Sequence, residues 1–283
     1  MFGAEDGVIG AGGRRDEEWA GPYRSSGAMS SSRAARRGCL LLHGFSGSPL
    51  EMVPLAHVLE AEGWTVSIAR LAGHGTSPME LAQMTWQDWV RSAEEAYEAL
   101  HGQCARVAVI GLSMGGALGL YLAGRVHPAA VVAISTPIRV RPMMAKASRV
   151  TARVLPYAPV VIRLGPREVA MRRYRSPYRR IPLRSLSEVD ALLEAMRAEL
   201  PRVRSPALIL QGRRDWIIPR DSAGELRRGL TRADAHVLWL PRSGHVATLD
   251  RDRGQLAGAV TEFLRAHLDR GAGGEAAGHG TAD

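Results

Sequence analysis

The sequence predicts a doubly wound, mostly parallel α/β sheet with a small helical cap inserted between two of its strands. Three observations carry that expectation. Six short apolar runs are unbroken rather than alternating, as in strands buried on both faces of a parallel sheet. Helical patterns separate most of these runs, which is the order of a layered α/β fold. The rhythm then breaks once, in a proline-bearing stretch from about 137 to 200.

The runs are Cys39–Leu42, Trp64–Ala69, Val107–Ile110, Ala130–Ile134, Ala207–Leu210 and Val237–Leu240. Between the first two, Pro49 to Glu62 reads as a helix. Between the second and third, Thr85 with Asp88 three residues on forms a helix-start signal. Trp86, Trp89, Val90, Ala93, Tyr97 and Leu100 follow at helical spacing. Met114–Arg125, Arg220–Leu230 and Arg251–Leu268 read as the remaining crossover and closing helices. Within the interruption, Met143, Ala147, Val150 and Val154 have helical spacing. A second helix starts at Ser185 or Ser187 and buries Val189, Leu192, Leu193, Met196 and Leu200. No segment there reads as a strand. Such an insertion is expected to cover the carboxyl edge of the sheet, where ligands bind in open α/β folds. The expected organisation is a disordered tail over 1–37, a body over 38–136 and 201–269, a helical cap over 137–200, and a second disordered tail over 270–283.

The bulk properties agree. Of 283 residues, 46% are hydrophobic and 23% charged, the make-up of a folded globular chain rather than a disordered one. No window nears the ~18 uninterrupted apolar residues of a membrane span. The first 38 residues lack the apolar run of a secretory signal, so a cytoplasmic setting is expected. The two cysteines, Cys39 and Cys104, stand where buried strands begin and read as free thiols, not as a disulfide or metal pair. The net charge is +9, and Lys146 is the single lysine, so the excess is arginine. Residues 139–184 hold twelve Arg and one Lys against Glu168, a local charge of +12, which leaves −3 for the remainder. The plain reading is a solvated arginine face. The alternative is a surface that attracts anionic substrates or an acidic membrane from the periphery. Nucleic acid is not expected as a partner, because only Tyr157, Tyr174 and Tyr178 could stack on bases there.

The chemistry concentrates at Gly111-Leu-Ser113-Met-Gly115-Gly116, directly after one strand and before one helix. A nucleophile on so sharp a turn needs small residues two before and two after it, and Gly111 and Gly115 supply them. A serine needs a base and a residue to orient that base, and on this strand-turn-helix plan the acid and the histidine follow it. Asp215 comes just after the strand Ala207–Leu210, and His245 just after Val237–Leu240. The expected roles are Ser113 as nucleophile, His245 as general base and acid, and Asp215 as its orienter. Asp250 is the rival carboxylate, and Asp221 reads as a helix cap. The loop His43-Gly44-Phe45-Ser46-Gly47 faces the same edge, so the backbone N–H groups of Phe45 and Met114 are the expected oxyanion donors. His43 then braces that loop, with a general-base role as its alternative. Gly73-His74-Gly75 reads as a turn. No histidine spacing resembles a zinc site, and no metal is expected.

Taken together, His43-Gly-Phe, Arg70-Leu-Ala-Gly-His-Gly-Thr-Ser-Pro78, Gly111–Gly116 and Ser243-Gly-His-Val-Ala-Thr-Leu-Asp250 resemble the α/β-hydrolase superfamily. The closer resemblance is to small bacterial carboxylesterases and monoacylglycerol lipases, over residues 38 to 268. It implies Ser113, Asp215 and His245 as triad, Phe45 and Met114 as oxyanion donors, and no cofactor. It also implies a cap that shapes an apolar acyl pocket, to which Met143, Met144, Tyr157, Val160, Val161 and Ile162 could contribute. The arginine-rich cap departs from the pattern. The expected function is hydrolysis of short to medium-chain acyl esters, monoacylglycerols being the favoured class, by a monomer or dimer. Thioester hydrolysis on acyl-CoA or acyl-carrier substrates is the alternative.

Overall fold

The computed structural model describes residues 23–24, 32–33, 36–140, 156–159, 174 and 178–269. In chain order the strands are β1 (Tyr23–Arg24), β2 (Arg37–Leu42), β3 (Thr65–Ala69), β4 (Arg106–Leu112), β5 (Ala130–Ile134), β6 (Tyr157–Pro159), β7 (Arg180–Pro182), β8 (Ala207–Gly212) and β9 (Ala235–Leu240). The helices are α1 (Val53–Ala61), α2 (Pro78–Gln83), α3 (Trp86–His101), α4 (Met114–Val126), α5 (Arg184–Glu199), α6 (Ser222–Gly229) and α7 (Arg253–Leu268). A seven-stranded sheet runs β1-β3-β2-β4-β5-β8-β9. All its pairings are parallel except the antiparallel β1–β3 edge.

Period-two geometry explains why the strands read as unbroken apolar runs. Leu40, Leu42, Val107, Val109, Val131, Ala133, Ala207 and Ile209 pack under α3, α4, α5 and α6. Their alternates, Cys39, Leu41, Ala108, Ile110, Val132, Ile134, Leu208 and Leu210, pack under α1 and α7. With both faces covered, no position on a central strand can be polar without losing its solvent. Both cysteines are free and buried, and burial pushes the Cys39 thiol far up from its ordinary value. Among the described residues no helix is long and apolar enough to cross a membrane.

Four features differ from the sequence-based expectation. Tyr23–Arg24 lies inside the expected tail over 1–37, yet it pairs with Ser67 and Ile68 of β3. Tyr23 also donates to Glu60 Oε1 of α1 at 2.5 Å, so one side chain anchors the edge. The insertion, expected to lack strands, contains the β6–β7 ribbon, with Tyr157 opposite Pro182 and Pro159 opposite Arg180. Its prolines stand at strand ends, where a ribbon with two free edges needs no N–H donor. Helix α2 was not anticipated, although Ser77 accepts from Glu80 N and Pro78 opens it. Finally α5, expected as part of the cap, buries Val189, Leu192, Leu193 and Met196 in the same apolar layer as α3 and α4. Gly124 on α4 permits that approach, since a Cβ there would lie 2.8 Å from Glu199 Cβ. The expected helix around Met143–Val154 lies outside the described residues, as do Met143, Met144 and Val160–Ile162.

Candidate active site

Four loops leave the carboxyl ends of β2, β4, β8 and β9 and converge. The β4 loop is a single residue, Ser113, at φ 55° and ψ −114°, wedged between the strand and the first turn of α4. A non-glycine residue at that φ is strained and persists only where its surroundings hold it. They do so through glycine. A Cβ on Gly111 would sit 2.1 Å from Gly115 O, and one on Gly115 would sit 2.2 Å from Leu42 O. Gly116 is equally constrained, because its Cβ would meet Thr136 Oγ1. Ser113 N donates to Ile134 O at 2.8 Å, tying the turn to β5.

The structure brings Ser113, His245 and Asp215 into one hydrogen-bonded line. His245 Nε2 lies 2.9 Å from Ser113 Oγ, and His245 Nδ1 lies 2.8 Å from Asp215 Oδ2. A carboxylate only accepts, so Nδ1 carries the proton and Nε2 is left to accept from the serine hydroxyl. The Asp215 side chain is fully buried and that of His245 is 13% exposed. The second oxygen of Asp215 accepts from Ile217 N at 2.9 Å and Ile218 N at 3.3 Å, so the carboxylate is held from both sides.

Asp250 does not take the acid's place. Its oxygens accept from Gly244 N at 2.6 Å and Arg251 N at 2.7 Å, which makes it a brace for the histidine loop. Asp221 does stand at the start of α6, but without a side-chain cap bond; with Glu225 it instead pairs with Arg139. Two residues that sequence reasoning passed over also shape this end. Buried Asp252 accepts from Arg242 N, Arg242 Nε and Ser243 Oγ at 2.7, 2.8 and 3.0 Å. Burial alone would raise its carboxyl, and these donors outweigh that and hold it below the usual range. A Cβ on Gly212 would lie 2.4 Å from Ser243 O, so glycine there lets the Asp215 and His245 loops meet. Its position at the end of a strand and three before Asp215 is the signal that could have found it.

The β2 loop places Gly44 against the serine, where a Cβ would lie 3.6 Å from Ser113 Cβ. Phe45 is the next residue of that loop. Met114, the first residue of α4, carries one of the four N–H groups a helix leaves without an intrahelical partner, at the end that favours negative charge. His43 is fully buried and both its nitrogens are engaged. Leu71 N donates to Nε2 at 3.3 Å, and Nδ1–H donates to Gly44 O at 2.9 Å. Burial lowers its pKa to about 4, so it is a neutral brace and not a base. The other expected structural histidines, His57, His101, His127, His236 and His267, lie on α1, at the ends of α3 and α4, on β9 and on α7, away from this edge. No cluster of ligands suited to a metal occurs among the described residues. Of the arginine-rich segment, Arg179, Arg180 and Arg184 are exposed, and Arg139 is held by Asp221 and Glu225.

Comparisons with known proteins agree with this architecture. Residues 33–252 match the family model described as serine aminopeptidase, S33. A thermostable monoacylglycerol lipase of Bacillus sp. (strain H-257) is 35% identical over 81% of this chain and 91% of its own length. A carboxylesterase of Bacillus subtilis (strain 168) is 29% identical over 80% and 91%. Among solved structures, one from the metagenome-derived lipolytic enzymes LipS and LipT has a TM-score of 0.78 at 30% identity, covering 88% of this chain and 98% of that one.

Proposed function

We propose that this chain, which belongs to the serine aminopeptidase S33 family of α/β-hydrolases and is a carboxylic ester hydrolase, cleaves short to medium-chain acyl esters through Ser113, His245 and Asp215. The observation that carries the reading is the line Ser113 Oγ–His245 Nε2–Asp215 at 2.9 and 2.8 Å. Ser113 Oγ attacks the acyl carbon as its proton passes to His245 Nε2, and the N–H groups of Phe45 and Met114 hold the resulting oxyanion. Collapse of the tetrahedral intermediate breaks the ester C–O bond, and the alcohol leaves with the proton from Nε2. Water then attacks the acyl-enzyme with His245 again taking a proton, which returns to Ser113 as the acid leaves. Asp215 keeps the imidazole in the tautomer that makes this possible and balances its charge when protonated.

Monoacylglycerols are the substrate class we favour, and the support is the similarity to a monoacylglycerol lipase over most of both chains. The segment 137–200 is the cap that selects the acyl chain in this reading, with α5 rooting it in the body.

The test is steady-state turnover of p-nitrophenyl esters of increasing chain length, a monoacylglycerol and an acyl-CoA, each at two salt concentrations. Ser113→Ala should leave no more than the ~10³ to 10⁴-fold residual acceleration over water typical of a lost triad member. Neutral esters hydrolysed without salt dependence support the reading. Undiminished hydrolysis by the variant overturns the mechanism, and a salt-sensitive preference for acyl-CoA overturns the substrate class in favour of a thioesterase.

A further inference from the structure

Behind the Phe45 loop stands a wall of four rings. His43 and His74 lie 5.0 Å apart, His74 and Trp89 5.8 Å, Phe45 and His74 6.1 Å, and Phe45 and Trp89 6.0 Å between centroids. His43, His74 and Trp89 are 0% exposed. The Phe45 ring therefore sits against both His74 and Trp89, and the Gly44–Phe45 peptide that carries the Phe45 N–H is held at Gly44 O by His43, whose ring packs on His74.

The polar atoms of the wall divide unevenly. His43 has both nitrogens occupied, as described above. His74 Nδ1 lies 3.0 Å from Ala72 O, which can only accept, so Nδ1 carries the proton and Nε2 is an acceptor. Burial lowers the His74 pKa to about 3, so the ring is neutral at working pH. His74 Nε2 and Trp89 Nε1–H are both buried without a protein partner. One is an acceptor and the other a donor, on neighbouring rings. An unmet buried group of either kind is costly, and a water between polar groups removes both penalties at once. The same helix face already grips this loop one turn on, where Ser92 Oγ accepts from Ala72 N at 3.1 Å and donates to Asp88 O at 2.9 Å.

We propose that one buried water joins Trp89 Nε1–H to His74 Nε2, and that Trp89 and His74 are positioning residues which aim the Phe45 N–H at the oxyanion. The water accepts from the indole and donates to the imidazole, so each nitrogen gains the partner its protonation state calls for. The second half of the inference rests on the reading of Ser113 and Phe45 given under Proposed function; the first half does not. The competing arrangement is dry, with the indole N–H resting on the face of a neighbouring ring.

Two measurements on the full chain decide it. With ¹⁵N-labelled indoles, wild-type protein should show a cross-peak between the Trp89 indole proton and a long-lived water, and that proton should shift in His74→Leu. A dry indole resonance, or one unmoved by His74→Leu, overturns the link. In steady-state turnover, His74→Leu and Trp89→Phe should each lower kcat by about 10 to 100-fold with KM within about twofold, less than outright loss of an oxyanion donor. His74→Gln, which restores an acceptor, should recover most of kcat, and the double variant should be no slower than the slower single one. Unchanged kcat in a folded single variant overturns the positioning role. Should neither leucine nor phenylalanine be tolerated, the wild-type cross-peak and the kcat of His74→Gln still decide the matter. Turnover surviving Ser113→Ala would remove the ester mechanism while leaving the water cross-peak untouched, so the two failures are told apart.

Discussion

The serine turn and the inserted segment sit at the same edge of the sheet but are held by different means. Around Ser113 the constraint is backbone against backbone: Gly111 on Gly115 O, Gly115 on Leu42 O and Ser113 N on Ile134 O. Beyond the apolar face of α5, the insertion is held where it meets the body by side-chain tethers. Tyr178 Oη donates to Gly73 O at 2.8 Å and accepts from Thr76 N at 3.1 Å, Ser185 Oγ donates to Leu81 O at 3.2 Å, and Glu188 Oε2 accepts from Trp86 N at 3.2 Å. Arg139 adds an ion pair to Asp221 and Glu225, and Arg197 donates to Ile138 O at 2.8 Å. A backbone fit admits one residue type, whereas a side-chain tether can be exchanged for another. The serine turn is thus built where substitution is least tolerated, and the described ends of the insertion where it is more tolerated.

The sharpest test of that contrast is chemical. Asp215→Asn should leave the fold intact and lower kcat by roughly 10⁴-fold, because the amide favours the wrong imidazole tautomer; equal rates in a folded variant would detach the line of hydrogen bonds from turnover. Next in size, Gly115→Ala should destabilise by more than about 3 kcal/mol or fail to fold, since its Cβ has only backbone to displace. A denaturation midpoint within error of wild type would show that this turn is not rigid. Third, the reacting edge should be acid-sensitive. The folded-state pKa values of His43 and His74 lie at about 4 and about 3, below the ordinary 6.5. Between pH 6.5 and those values the unfolded chain binds protons that the folded chain refuses, so stability should fall as pH falls through that window. Denaturant midpoints measured from pH 7 to 4 check the slope, and a flat profile would contradict the neutral brace. Smallest, Tyr178→Phe should cost ~1–2 kcal/mol, or a few degrees in melting temperature, and raise KM more than it lowers kcat. A kcat collapse there would mean that the tether belongs to the reacting edge after all.

The same contrast governs what was legible in the sequence. Strands β2 to β5, β8 and β9 were readable because burial on both faces forces unbroken apolar runs. The three residues now hydrogen-bonded together were readable because each lies in the turn or loop that follows a strand. What escaped was either too short for periodicity or dependent on a partner distant in the chain. β1 has two residues and is held by the distant Glu60, while β6 and β7 have three each. The apolar face of α5 was plain at Val189, Leu192, Leu193 and Met196, but periodicity shows that a helix buries a face and not against what. Its docking on α4 depends on Gly124, 60 positions or more before that face in the chain. Asp252 acts on the histidine loop through carboxylate hydrogen bonds that no spacing rule records, and Gly212 through a close backbone approach signalled only by its place at the end of a strand.

The hydrogen bond between Ser113 and His245 spans 132 positions of the chain, and it closes only because β5 and β8 lie between β4 and β9 in one sheet. During synthesis from the N-terminus at ~5–20 residues per second, Ser113 precedes His245 by roughly 7 to 26 seconds. Throughout that interval Ser113 is without the imidazole that takes its proton in the proposed mechanism. On the proposed mechanism hydrolysis therefore begins with the docking of the last strand, which makes the first appearance of turnover a clock for completion of the sheet.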